Sequence, residues 1–207
     1  MDYMNTDNII KKSFTILKEM LNDRNEDITK IENMTEEELL SFYTNSSIFD
    51  IEVNDKLKII YNMASKIKIQ DIRKFINIDE ENEKNEKNEK NDLDKTIIFI
   101  SKEKLTTNNF KSFNEYKNKV NLQFFYIKEL LFNIYRHELV PKHDVISSNE
   151  EIKKIMDKYL MKNKFQFPLI LHTDPVCKYL NIKSNSLVKI TRPSPTSGEY
   201  ILYRYVV

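Results

Sequence analysis

His137, His143, His172 and Cys177 lie in the last third of this 207-residue chain, and together they carry the donor set of a zinc site. Their spacing argues against one. The chain has no C-x-x-C and no H-x-x-x-H, the patterns that bring two ligands onto one turn or one helix face. Core or surface roles are the expectation for all four, with no metal and no cofactor. Asp50 and Glu52 form a second candidate pair. They alternate with apolar residues, so on a strand both carboxylates point the same way and could hold Mg²⁺ as in a nuclease. No lysine follows at nuclease spacing, and a solvated outer strand face is expected instead. Nucleophile and phosphate motifs are missing: there is no G-x-S-x-G, and Gly198 is the single glycine, which excludes most nucleotide-cradling turns. Near the end stand Lys189, Arg192 and Arg204, cations that suit either charge-assisted contact with an acidic partner surface or a soluble strand face. Tyr200, Tyr203 and Tyr205 could stack on bases, but core or interface packing is the expectation.

The elements that must hold these residues follow from periodicity. "NTDNIIKKSFTILKEMLNDR" repeats Ile9, Ile10, Phe14, Ile16, Leu17, Met20 and Leu21 at helical spacing, with Asp7 as a possible cap. "NMTEEELLSFY" starts a second helix, Thr35 and Glu38 forming a capping box. "SIFDIEV" and "KLKIIYNM" flank Asn54-Asp55 and read as an antiparallel hairpin. Ile69–Ile76 returns to helical spacing. Residues 81–92, the "NEK" repeats, have no apolar residue to offset the cost of ordering and read as a solvated loop. "KTIIFIS" is a buried strand, "NNFKSFNEYKNKV" a helix, and Phe124–Ile127 a strand followed by a link through Leu130–Tyr135. All five Pro, the three His, the Gly and the Cys lie at or beyond His137, which places a domain boundary near Tyr135–His137. Beyond it, Ser148 caps a helix, with Glu151 at the capping-box position, whose stripe is Ile152, Ile155, Met156, Tyr159 and Leu160. "FPLIL" is a strand. Asp174 and Pro175 start a short helix that Asn181 stops in the left-handed conformation. "SLVKITR" is a strand ended by Pro193, and "EYILYRYVV" is the last strand. Gly198 falls in the loop joining these two, where a positive φ is needed.

Composition bounds the rest. Hydrophobic residues at 40 % suffice for a core. The formal charge of +1 is uneven: residues 137–207 carry eleven Lys/Arg against seven Asp/Glu, and residues 1–136 carry 22 against 25. A basic tail suits a polyanion or an acidic partner, and an asymmetry this small is equally consistent with ordinary scatter. A lone cysteine fits a reducing compartment, the acidic start is no secretory signal, and no apolar run reaches the roughly 20 residues of a membrane span.

"HELVPKH", "DPVCKYLNIK" and "VKITRPSPTSGEYILYRYVV" occur in this order, and together they resemble one family: the fifth subunit shared by the three eukaryotic nuclear RNA polymerases, whose C-terminal part corresponds to a small subunit of the archaeal enzyme. The family ends close to R-P-S-E-T-A-G-R-Y-I-T-Y-R. Arg192, Pro193, Ser194, Thr196, Gly198, Tyr200, Ile201, Tyr203 and Arg204 are kept, while Pro195, Ser197, Glu199 and Leu202 depart from it, Glu199 reversing a usual charge. The resemblance implies an α+β protein of two domains: a mixed α/β jaw-like domain at 1–136 and a small α+β assembly domain at 137–207 with a terminal β-hairpin. It implies a non-catalytic subunit whose C-terminal domain docks on the largest polymerase subunit through His137, Glu138, Pro141, His143, Asp174, Pro175, Lys178, Lys189, Arg192, Gly198, Tyr203 and Arg204. The jaw would lie beside downstream duplex DNA, with weak contacts that read no sequence. Lys102, Lys104, Thr106, Thr107, Asn108 and Lys111 fall where the family has a loop with a T-P-S-A-like motif, of which Thr106 is kept. The residues themselves leave another reading, a free-standing nuclease-like or DNA-binding protein built on the N-terminal α/β domain. The Asn, Lys and Ile excess fits an AT-rich genome, a protist or a large DNA virus. The expected location is then the nucleus, or a cytoplasmic viral factory or virion.

Overall fold

The computed structural model describes residues 5–64, 95–107, 109, 111 and 121–207. The helix expected over Ile69–Ile76, the loop at 81–92 and most of the helix expected over residues 108–120, Asn108 included, lie outside the described residues. Helices and two four-stranded sheets make the chain α+β. It divides into two compact units, Met1–Phe132 and Asn133–Val207.

In the first unit α1 (Thr6–Asp23) buries Ile10, Phe14, Leu17, Met20 and Leu21 along one stripe, the face that helical spacing demands. Asp7 is not its cap. Asn5 holds that place without a side-chain bond, and Asp7 lies in the first turn, where its charge still complements the helix dipole. The helix stops at Asn25, φ 58°, whose left-handed backbone lets Glu26 N–H reach the Leu21 carbonyl at 3.0 Å. A short α2 (Thr29–Glu32) leads to α3 (Glu36–Asn45). The Thr35 capping box is formed: Glu38 N–H donates to Thr35 Oγ1 at 3.2 Å, and Thr35 N–H to Glu38 Oε2 at 2.9 Å.

Strands β1 (Ile48–Glu52) and β2 (Leu57–Asn62) form the expected antiparallel hairpin. Then β3 (Thr96–Ser101) and β4 (Asn121–Tyr126) add in parallel, in the order β1-β2-β3-β4. The middle strands are buried almost throughout, as strands covered on both faces are. The β4 strand starts three residues before the expected Phe124 and ends at Tyr126, and Ile127–Leu130 is a 3-10 turn. A continuous apolar run hides its own register. Pairing of Asn121 with Thr96 through Tyr126 with Ser101 sets it, helped by Asn121 Nδ2 donating to Thr96 Oγ1 at 3.1 Å.

The second unit is a sheet of order β5-β7-β8-β6 with a helix on each face. Its strands are β5 (Lys142–Ile146), β6 (Leu169–Ile170), β7 (Leu187–Ser194) and β8 (Gly198–Val206); its helices are α4 (Asn149–Lys158) and α5 (Pro175–Tyr179). On one face Ile152 and Ile155 of α4 pack with Ile146, Phe167, Leu187 and Tyr205. On the other, Cys177 of α5 packs with Ile170, Ile182, Val188, Ile190 and Val206. Consecutive strand residues feed opposite cores, which is why this small sheet alternates less than a half-exposed one. Each buried Ile or Leu contributes roughly 1.5–3 kcal/mol over its exposed state.

Sequence periodicity did not show β5, because its apolar residues are few. "FPLIL" reduces to a two-residue edge strand. The α4 stripe stops before its expected end: Tyr159 is the C-cap, and Leu160 takes φ 55° and is 89 % exposed. Met161 N–H returns to the Met156 carbonyl at 2.8 Å and Leu160 N–H to Asp157 at 3.1 Å, closing a Schellman motif. Pro193 does not end β7; it pairs with Glu199. The β5 partner covers β7 only to Thr191, so the proline stands where one edge of the strand is open and a missing N–H breaks no ladder.

Candidate functional site

Two groups of candidate residues fall in the two units. The first is the β7–β8 hairpin with the loops beside it. Pro195, Thr196 and Ser197 make the turn, and Gly198 follows at φ 71° with nothing within 4 Å of where a Cβ would stand. The glycine therefore answers a backbone demand, not a space demand. Hydroxyl groups brace the turn: Ser197 N–H donates to Ser194 Oγ at 3.4 Å, and Ser197 Oγ donates to the Glu199 carbonyl at 3.1 Å.

Register sorts the hairpin residues by face. Arg192 opposes Tyr200, Val188 opposes Arg204, and Ser194 opposes Gly198; all lie on the face that α5 covers farther along. The Arg192 guanidinium stacks on the Tyr200 ring at 4.9 Å, and both residues are exposed. Arg204 Nη1 donates to the Leu169 carbonyl at 3.2 Å, tying β8 to the β6 edge. Lys189 opposes Tyr203 on the other face. There Tyr203 packs against Tyr159, ring centroids 5.9 Å apart, and Phe167 at 6.5 Å. Tyr203 is thus a packing residue, and it does not share a face with Arg192 and Arg204. Adjacent strand residues point oppositely, so the split between Tyr203 and Arg204 was readable from parity, whereas the face of Arg192 follows from the cross-strand register.

The remaining docking candidates divide into exposed and structural groups. His137 and Glu138 are exposed in the loop before β5, where Leu139 N–H donates to His137 Nδ1 at 3.2 Å. Pro141 is half-buried. His143 is only 8 % exposed, and its Nδ1–H donates to the Pro141 carbonyl at 2.7 Å, so its ring holds the strand entrance and offers little surface. Asp174 caps α5 as expected, accepting Val176 N–H at 3.0 Å, with Pro175 at the first helical position. Pro175 is exposed and Lys178 half-buried. Asn181, φ 52°, ends that helix as expected, Ile182 N–H donating to the Cys177 carbonyl at 2.8 Å. Cys177 is buried and unbonded, and burial followed by the nearby Asp174 carboxylate raises its thiol pKa to about 11. Among the described residues no group of three His, Cys, Asp or Glu is placed to hold a metal ion, and no helix is long and apolar enough to cross a membrane.

The second group follows β3. Asn62, Ser101 and Tyr126 end three parallel strands in one row. Lys102 N–H donates to the Asn62 carbonyl at 3.0 Å, and Glu103 N–H to Ser101 Oγ at 3.2 Å. Lys102, Lys104, Thr106, Thr107 and Lys111 are all exposed or half-buried at the surface. Thr106 Oγ1 accepts Asn109 N–H at 3.4 Å, capping a helical start at Thr107. The sequence reading missed Tyr126 and Lys128. Lys104 lies 5.6 Å and Lys128 6.0 Å from the Tyr126 ring centroid. Their signal was positional, since β4 ends where β3 ends. Asp50 is bound by Lys58 at 2.7 Å across the hairpin while Glu52 is exposed; the pair occupies an outer strand face.

Comparison with known proteins completes the picture. Residues 132–206 match the family model "RNA polymerase Rpb5, C-terminal domain". Over 198 residues the chain is 30 % identical to the "DNA-directed RNA polymerases I, II, and III subunit rpabc1" of Dictyostelium discoideum, covering 93 % of this chain and 94 % of the relative. It is 32 % identical over 153 residues to the corresponding Caenorhabditis elegans protein, covering 74 % of this chain and 67 % of the relative. It is 43 % identical over 76 residues to the "DNA-directed RNA polymerase subunit Rpo5" of Methanosarcina mazei, covering 37 % of this chain and 95 % of the relative.

Proposed function

Since this chain belongs to the family of the fifth RNA polymerase subunit, we propose that it is a structural subunit of a multisubunit DNA-directed RNA polymerase and has no active site of its own. The two compact units, divided between Phe132 and Asn133, act as two domains. The C-terminal one docks on the largest subunit; the N-terminal one lies beside downstream duplex and touches its backbone without reading bases. Nucleotide addition belongs to other subunits. The observation that carries this reading is the family match at 132–206, which spans nearly the same residues as the compact unit Asn133–Val207. The exposed Arg192–Tyr200 stack supports a docking role, since a guanidinium on an aromatic ring is preorganised for an acidic or carbonyl-rich partner. Asp174 and His143 serve docking by fixing α5 and β5. The paired Asp50 gives the free-standing nuclease reading no support, and the full-length similarity to polymerase subunits displaces it. The protein works in the nucleus if cellular, and in a viral factory or virion if viral.

Charge reversal tests the docking face. Arg192→Glu should weaken co-purification of the largest subunit by about tenfold or more at an unchanged melting temperature, whereas Lys189→Glu on the opposite face should bind as wild type. Equal binding by all three proteins would remove the hairpin's Arg192 face from the interface.

A further inference from the structure

We propose that Lys104 and Lys128, held over the same Tyr126 ring, seat a backbone phosphate of the downstream duplex at the carboxyl edge of the first unit's sheet. The proposal rests on reading this unit as DNA-proximal, and it adds the end of β4 to the surface that meets the duplex. The parallel strands β2, β3 and β4 finish in one row at Asn62, Ser101 and Tyr126. Ligands of parallel sheets gather beyond such carboxyl ends. From this row the chain sends out Lys102 and Lys104 after β3 and Lys128 after β4, all exposed. They concentrate positive charge in a part of the chain that is acidic overall, residues 1–136 carrying 22 Lys/Arg against 25 Asp/Glu.

The geometry then narrows the ligand. Both ammonium groups lie within 6.0 Å of one ring centroid, so they are less than twice that distance apart. That upper bound is longer than the Debye length of about 8 Å at physiological salt, so the two lysines meet either one phosphate or two neighbours along a single backbone. The half-buried tyrosine collects two long side chains that would otherwise lose rotamer freedom on binding. Among the described residues, the carboxylates beside these lysines in the chain are Glu103 and Glu129. Glu129 Oε2 accepts the Tyr126 backbone N–H at 3.3 Å. Ammonium groups are point charges that hold phosphate without a base-reading fork, matching a duplex that must slide past in any sequence.

The test uses the assembled polymerase with the full chain and a labelled downstream duplex. A photo-cross-linking amino acid is placed singly at positions 106, 128 and 55, the last in the turn at the opposite end of the sheet. Cross-links to DNA from 106 and 128 but not 55 are expected. Cross-links from 106 without 128 overturn the phosphate seat and leave the DNA-proximal reading standing; cross-links from neither overturn both. Cross-links from 128 to protein, or from 55 as strongly as from 128, also overturn the seat. A second measurement guards against misplacement by the probe. The Lys104→Ala, Lys128→Ala double variant should make the log–log salt dependence of duplex retention shallower by about 0.9–1.8, the values for one and two phosphates. Lys128→Arg should restore part of that loss when Lys104 remains alanine. An unchanged slope with unchanged melting overturns the proposal.

Discussion

Gly198 shows what a single residue can decide. It stands at φ 71° with open space around the missing Cβ, so a substitution there meets backbone strain and no steric clash. Gly198→Val should cost about 1–3 kcal/mol. Gly198→Asn should cost far less, because asparagine already occupies the left-handed region at Asn25, Asn181 and Asn185. Melting curves of the three proteins decide it, and equal melting of the Val and Asn variants would show that the glycine has no backbone role. Cys177 gives a second residue-level test. Its thiol pKa is raised from 9.0 to about 11 in the folded chain, so the folded state keeps a proton that the unfolded state releases. Its contribution to stability is complete below pH 9.0 and is lost as pH rises towards about 11. The stability gap between wild type and Cys177→Ala, from denaturant midpoints across that range, should narrow; a constant gap would contradict the burial of a neutral thiol.

At the scale of elements, the second unit depends on two cores back to back across one sheet, and its N-terminal limit carries a specific contact. Tyr135 stacks on Tyr179 with centroids 5.8 Å apart. A fragment of residues 133–207 should therefore melt cooperatively and exceed a 137–207 fragment by about 0.5–1.5 kcal/mol. Identical stability would deny the stack any role, and no transition in either would deny the unit independence at a size where autonomy is feasible. Elements with local chemistry were legible before the fold was known. Thr35 with Glu38, Asp174 with Pro175, and Asn181 each declare a helix end through their own side chains. Elements set by partners were not. The β5 strand exists because β7 is beside it, β4 takes its register from β3, and Pro193 stays in its strand because β5 stops short. Leu160 is the reverse case. Its apolar side chain fits the helical stripe, but a Schellman turn takes its backbone out of the helix.

For the whole molecule, the family was legible because its motifs are turn and cap residues whose identity the backbone dictates, Gly198 and Asp174 foremost. The surface was less legible. Which of Arg192, Tyr203 and Arg204 share a face depends on strand parity, and Lys128 joins Lys104 only because two parallel strands end together. The chain is a structural subunit of a multisubunit RNA polymerase. Purification of the tagged full-length chain from its native cells, with quantitative mass spectrometry of what accompanies it, tests this most directly. The largest polymerase subunit is expected in equal amount with the chain, together with the remaining polymerase subunits, in a complex that extends RNA on a DNA template. Recovery of the chain free of any RNA polymerase subunit, under conditions that keep that polymerase intact, would contradict it.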